Sequence, residues 1–362
     1  NDAIMVCGSP QFLGNVTTSY QPTSGNRYRS NGNCSNNPSF KPGDPRYADP
    51  LTMPPNNVAI KAETDATQAG EGCLFTGPTS ITLNAAGTMT VSSPYTKVGA
   101  APNNCLGGTL ASPVTQPLPP NGVIYVQNVP SASTDPNYTA ACLTSTELSS
   151  GTSAGTATVQ HPLGYPQKAD ITTYACKAGD VFLKGTLKGR LTIAADTNIE
   201  IIGNITHQGG SGGSDLLGLV ANNYVEIYHP VDKVTSGTPA WCYGAVLSRG
   251  GDDYCNIKLP GSSTGLVAPS VQAALLSVAH SFRVQNYAYG EDNLGSIVLN
   301  GAIAQKYRGL VGVIGTAGYG KNYNYDQRLK YQSPPKFLNP VAAAWQIVTW
   351  IEQAPAYAWN AP

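Results

Sequence analysis

The sequence has little charge. Of its 362 residues only 12% are Asp, Glu, Lys or Arg, and the 21 basic residues equal the 21 acidic ones. A nucleic-acid binder needs a basic stripe that displaces counterions from phosphates. Electrostatic attachment to a membrane surface needs a polybasic segment. A chain of zero net charge argues against both classes, so no nucleic-acid partner is predicted.

Sequence motifs that carry chemistry are also scarce. The four histidines form no HExxH or His-x-His pattern, no two cysteines have CxxC spacing, and the GK[ST] end of a phosphate loop is missing. No cofactor is therefore predicted and no catalytic residue is assigned. Whether a metal binds stays open, and the acidic pair Asp252 and Asp253 is the candidate for calcium.

No run of about 18 apolar residues, the length of a membrane span, occurs in the sequence. A signal peptide is also missing, and the first residue is Asn1. We therefore expect a processed or truncated chain whose export signal lies upstream. Contact with a membrane is expected only through such an upstream segment.

The cysteines indicate an oxidising compartment. Their number is eight, which allows 105 pairings, with buried free thiols as the alternative. Sequential pairing suits a chain that lays down local units one after another. The predicted disulfides are Cys7–Cys34, Cys73–Cys105, Cys142–Cys176 and Cys242–Cys255. They predict an extracellular or cell-surface location.

The second half of the chain contains a repeat of short strands. IAADTNIEI (193–201) aligns without a gap over LVANNYVEI (219–227), 26 residues later, and VAHSFRV (278–284) resembles both with one residue fewer. A period in the twenties with polar corners is typical of a β-solenoid, in which Ile, Leu and Val stack into one core. An antiparallel sandwich is the alternative.

The predicted fold is mainly β, with a disulfide-rich irregular N-terminal region, a short parallel β-solenoid (β-helix) and a C-terminal capping α-helix. The expected domains are residues 1–177, residues 178–338 with an insertion at about 231–270, and residues 339–362 as helix and tail. Asn339 and Pro340 form a helix start, and apolar residues then recur at helical spacing.

The best pair of carboxylates is Glu200 and Glu226, which occupy the same place in the repeat. On adjacent strands they would lie about 4.8 Å apart, near the separation that glycoside hydrolysis uses. Two stacked carboxylates repel each other, so either a cation lies between them or the register differs. Two solvent-facing residues on the sheet exterior are the favoured interpretation. The other charged candidates are Asp180, Lys184, Lys188, Arg190 and Asp196.

Tyrosine outnumbers phenylalanine by 20 to 6. A tyrosine offers a flat apolar face with a polar tip, which suits stacking on sugars or an interface. Tyrosines on the exterior of a sheet are the alternative, because strands favour them. The candidate residues for a glycan or interface surface are Tyr319, Tyr323, Tyr325 and Tyr331.

Several segments together resemble a family of exported proteins that is common in actinobacteria. They include GTLKGRLTIAADTNIEIIGNIT (185–206), GSIVLNGAIAQKYRG (295–309), GCLFTGPTSI (72–81) and PNGVIYVQN (120–128). Members of that family typically begin with a pilin-like hydrophobic segment, as in minor components of type IV pili, which this chain lacks. The resemblance implies a cell-surface β-solenoid and carries over no catalytic residue.

The sequence therefore favours a non-catalytic, secreted structural or adhesive protein of the cell surface, pilus-associated or filament-forming. Its expected partners are copies of itself, other pilin-like subunits, or surface glycans. The alternative is a β-helix carbohydrate-active enzyme (a polysaccharide lyase or glycoside hydrolase) or a glycan-binding module. Two acidic residues lining a cleft on adjacent strands would favour the enzyme.

Overall fold

The computed structural model describes most of the chain. The described residues are 3–30, 34–35, 37–50, 52–65, 71–97, 105, 110, 112–140, 142, 163, 165, 175–235, 237, 240–259, 262–291, 294–313 and 317–338. They form two compact units, one ending at Thr52 and the other running from Met53 to Leu338.

The first unit contains six two-residue strands that pair in parallel, β1 with β4, β2 with β5 and β3 with β6. The Phe12 and Phe40 rings stack across the β2–β5 pair, with centroids 4.7 Å apart. The six strands are β1 (Ile4–Met5), β2 (Gln11–Phe12), β3 (Thr17–Thr18), β4 (Tyr28–Arg29), β5 (Ser39–Phe40) and β6 (Arg46–Tyr47).

The second unit is built on a curled sheet of fourteen strands, with one short helix, α1 (Val58–Ala62), among the described residues. The strands of this sheet are β7 (Cys73–Thr76), β8 (Thr79–Asn84), β9 (Thr88–Ser92), β10 (Val114–Pro117), β11 (Val123–Gln127), β12 (Val181–Leu187), β13 (Arg190–Ala195), β14 (Ile199–His207), β15 (Leu216–Ala221), β16 (Val225–Ile227), β20 (Ser270–Ser277), β21 (Phe282–Val284), β22 (Ser296–Gln305) and β25 (Gly320–Tyr325). The remaining strands are β17 (Val231–Val234), β18 (Cys242–Arg249), β19 (Asp252–Ile257), β23 (Gly312–Val313) and β24 (Ala317–Gly318).

Most pairings in the fourteen-stranded sheet are parallel. One series runs β7–β11–β13–β15–β20–β22–β25, and a second runs β8–β12–β14–β16–β21. The register keeps the 26-residue repeat in phase, since Ile193 pairs with Leu219 and Ile201 with Ile227. Equivalent residues of successive strands are therefore direct neighbours.

Alternate side chains of these strands point inward and form one apolar core. It is made of residues such as Ile193, Leu219 and Leu275 from the first series and Ile199, Val225 and Phe282 from the second, all at most 3% exposed. Valine and isoleucine suit this position because branched side chains pack well on a pleated surface. The core therefore joins the two series into a single body.

The predicted fold class is confirmed in part, because the chain is mainly β and has four disulfides. The cysteines are joined in the sequential order that the sequence predicts. The predicted C-terminal helix falls outside the described residues. Within the described residues, no helix has the length and apolar character needed to cross a membrane.

The division of the chain differs from the expected boundary near residue 178. Pairing crosses that point, because β12 pairs with β8 and β13 pairs with β11. Residues from 53 onward therefore share one sheet with the later strands. The expected insertion at about 231–270 corresponds to a small antiparallel sheet in the order β17–β19–β18, closed by Cys242–Cys255.

Candidate functional site

The parallel register builds a row of four outward-facing residues across strands β12, β14, β16 and β21. Phe182 pairs with Glu200, Glu200 with Glu226, and Glu226 with Arg283. The prediction that the two glutamates occupy equivalent positions is confirmed by this pairing. We call Glu200, Glu226, Arg283 and the neighbouring Gln285 the polar ladder.

The two glutamates are buried rather than solvent-facing, which corrects the favoured sequence interpretation. Glu200 is 1% exposed and Glu226 is 2% exposed. The Gln285 amide nitrogen donates to Glu200 Oε2 at 2.8 Å and to Glu226 Oε1 at 3.2 Å. The Arg283 Nε donates to the other Glu226 oxygen, Oε2, at 2.5 Å. Buried carboxyls of this kind need such partners, because desolvation is costly.

Arg283 offsets part of the negative charge in the ladder. Burial and the neighbouring Glu226 charge raise the pKa of Glu200 well above its usual range. A third buried carboxyl, Asp180, accepts from the Asn198 backbone nitrogen at 2.9 Å. Burial, and then the charge of Glu226, raise the pKa of Asp180 to about 7. The shift at Glu200 favours its neutral form, which lessens the expected repulsion.

An aromatic cluster lies beside the carboxyls. The Tyr165 ring stacks on Phe182 with centroids 4.7 Å apart, and the Tyr228 ring meets Tyr165 edge-on at 5.8 Å. Burial, followed by the charge of Glu200, raises the pKa of the Tyr228 hydroxyl. These apolar neighbours exclude water from the carboxyls and strengthen every electrostatic interaction among them.

Arg283 connects the ladder to the surface. Its guanidinium carbon lies 3.6 Å from the centre of the Tyr224 ring, a cation–π contact, and its side chain is 27% exposed. Both residues line a cleft of about 260 Å³. The polar and aromatic residues of this cleft are Tyr224, Ser281, Arg283, Asn286, Tyr287, Tyr289 and Arg308.

The tyrosines named from the sequence do not form one surface. Tyr319 is 4% exposed, and its hydroxyl donates to the Leu266 carbonyl at 2.6 Å, so it is unavailable to a ligand. Tyr323 and Tyr325 lie on β25 and are 40% and 49% exposed. Tyr331 follows a short 3₁₀ turn and is 88% exposed.

The other charged candidates have separate surroundings. Asp196 accepts from the Tyr125 hydroxyl at 2.5 Å and from the Asn128 backbone nitrogen at 2.8 Å. Arg190 is exposed and donates to the Ser333 carbonyl, and Lys184 and Lys188 are exposed.

The acidic pair named for calcium is engaged within the small antiparallel sheet. Asp252 pairs with Lys233 at 2.7 Å, and Asp253 accepts from the Ser248 hydroxyl. In the described part of the chain, no group of three His, Cys, Asp or Glu residues is placed to hold a metal ion.

Sequence reasoning missed Arg283, Gln285 and Tyr224 as members of this site. The signal was present, because VAHSFRV aligned with LVANNYVEI places Arg283 opposite Glu226. A search for acidic pairs alone passes over the cation and the amide that neutralise them.

We predict that the free energy of unfolding falls as the pH rises from about 4 to about 7. Between the unfolded pKa of Asp, near 3.9, and the folded value of about 7, the folded chain binds more protons than the unfolded chain. The loss due to Asp180 is on the order of 4 kcal/mol. Urea unfolding at pH 4 and pH 8 measures it.

The variant Asp180→Asn keeps an oxygen to accept from Asn198 and should lose the share of this pH dependence that Asp180 contributes, while the share due to the raised pKa of Glu200 remains. Asp252→Asn, at a partly exposed aspartate that pairs with Lys233, is the matched control and should keep it. An unchanged slope in Asp180→Asn would show that Asp180 is ionised in the folded chain.

No protein-family model, no curated protein and no solved structure matches this chain.

Proposed function

We propose that the chain is a non-catalytic, extracellular β-solenoid protein with a structural or adhesive role at the cell surface. The in-phase parallel pairing of the 26-residue repeat and the single apolar core support a solenoid. The four disulfides are consistent with an oxidising environment outside the cytoplasm.

One observation supports the non-catalytic part of this proposal. The best candidate pair of carboxyls is buried and hydrogen-bonded to other side chains of the protein. A glycosidase acid and base must reach the substrate within hydrogen-bond distance. Glu200 and Glu226 are at most 2% exposed, and their oxygens bind Gln285 and Arg283. Their chemistry therefore stabilises the stack of strands and leaves neither of these two carboxyls placed to act on a polysaccharide.

The purified chain should release no new reducing ends or unsaturated sugars from neutral or acidic polysaccharides. The variant Glu200→Gln, which replaces a buried carboxyl of raised pKa by a neutral side chain of the same shape, should fold and behave identically. Chromatography of the sugar products after long incubation measures this. Turnover by the natural chain that Glu200→Gln abolishes would establish the rival enzyme function.

The strand β25 supports a role in assembly. All six of its residues are exposed, and in the described part of the chain it pairs only with β22. The Gly320 and Asp326 backbone nitrogens donate to Gly295 and Gly301 on the β22 side. Because N–H groups alternate along a strand, those of Lys321, Tyr323 and Tyr325 point to the open edge. An open edge is a template for pairing with a second chain.

We expect the chain to associate through this edge, with pilin-like subunits or copies of itself. Electron microscopy and sedimentation should show paired or end-to-end particles. Tyr323→Pro removes an edge-facing N–H without removing a bond to β22, and should abolish association.

Tyr323→Thr keeps the N–H and is the control that should still associate. Natural chains that remain monomers at high concentration would contradict the assembly role, as would association that survives in Tyr323→Pro.

A further inference from the structure

The cleft beside the polar ladder carries unneutralised positive charge. Arg308 is exposed and lines the cleft, and among the described residues no carboxylate lies within ion-pair distance of it. Lys321 lies close enough for its pKa to be lowered, first by burial and then by the Arg308 charge. In a chain with so few charges, two adjacent cations without a described counter-charge favour an anionic ligand.

Arg283 adds donors to the same cleft. Its Nε is taken by Glu226, whereas its Nη groups have no acceptor among the described residues. Its position is set from two sides, by the Glu226 carboxyl and by the Tyr224 ring. A guanidinium held in this way donates with little loss of side-chain entropy when a ligand binds.

The other residues that line the cleft are better suited to contact a sugar ring than a small inorganic ion. Tyr224, Tyr287 and Tyr289 line the cleft, and tyrosine rings offer apolar faces to the C–H side of a sugar. Asn286 also lines the cleft. The volume of about 260 Å³ is at the small end for ligand sites.

We propose that this cleft binds an acidic saccharide, a pyranose that carries a carboxylate, as one unit of a surface glycan. The carboxylate pairs with the Arg308 fork, a hydroxyl meets Arg283, and the ring packs on tyrosine. This inference rests on the proposed adhesive function and names the site and the ligand class for it.

Calorimetric titration of the full chain with oligogalacturonate tests the proposal. The comparison ligands are an uncharged oligogalactose of equal length, a sulfated oligosaccharide and inorganic phosphate. We expect oligogalacturonate to bind at least tenfold more tightly than each of the other three.

Arg308→Gln should weaken oligogalacturonate binding at least tenfold, and Arg308→Lys should weaken it less, because lysine keeps the charge but loses the two-pronged geometry. Arg190→Gln removes an exposed arginine that does not line the cleft and should leave the affinity unchanged. Circular dichroism checks that each variant folds.

The outcomes separate this inference from the proposed function. Absence of oligogalacturonate binding, equal binding of oligogalactose, preference for sulfate or phosphate, or full affinity in Arg308→Gln would overturn the inference and leave the non-catalytic role intact. Mass spectrometry of the ligand after the titration tests whether the chain cleaves it. Binding that requires Arg308 and is followed by shortening of oligogalacturonate would support the site but overturn the non-catalytic function.

Discussion

Parallel pairing of equivalent strands is the constraint on which the rest of the structure depends. It places each residue about 4.8 Å from its counterpart on the next strand, so like residues stack on like residues. For inward-facing Ile193 and Leu219 this builds a continuous apolar core. For outward-facing Glu200 and Glu226 the same rule brings two carboxyls together, which is unfavourable unless charge is removed.

Three features of the polar ladder reduce the repulsion between the two carboxyls. Burial and the charge of Glu226 favour the neutral form of Glu200, Arg283 on the next strand supplies the opposite charge to Glu226, and Gln285 donates to both carboxyls. Without these features, burial of the unpaired polar and charged groups would cost several kcal/mol of folding free energy. The arrangement explains how two stacked carboxyls are accommodated inside the protein. It also holds Arg283 at the edge of the cleft, where we propose that a glycan binds.

Some of this could be predicted from the sequence. The alignment of residues 193–201 with residues 219–227 fixes a register, and the register makes Glu200 and Glu226 neighbours. The burial of that pair could not be predicted, because a repeat defines which residues share a row but not what packs over it. Tyr319 is a similar case, since its hydroxyl bonds a backbone carbonyl far away in sequence. The pairing of β12 with β8 could not be predicted either, because no sequence repeat in the first half of the chain indicates it.

The central claim is that the stacked carboxyls stabilise the interior of the protein, and that burial and the charge of Glu226 favour the neutral form of Glu200. Infrared spectroscopy tests it most directly, because a protonated carboxyl has a carbonyl stretch that a carboxylate lacks. The account predicts that the folded natural chain shows this band at pH 7 and that Glu200→Gln loses intensity equal to one carboxyl. A spectrum at pH 7 that is unchanged by Glu200→Gln would contradict it, since Glu200 would then be ionised and two stacked charges would have to coexist.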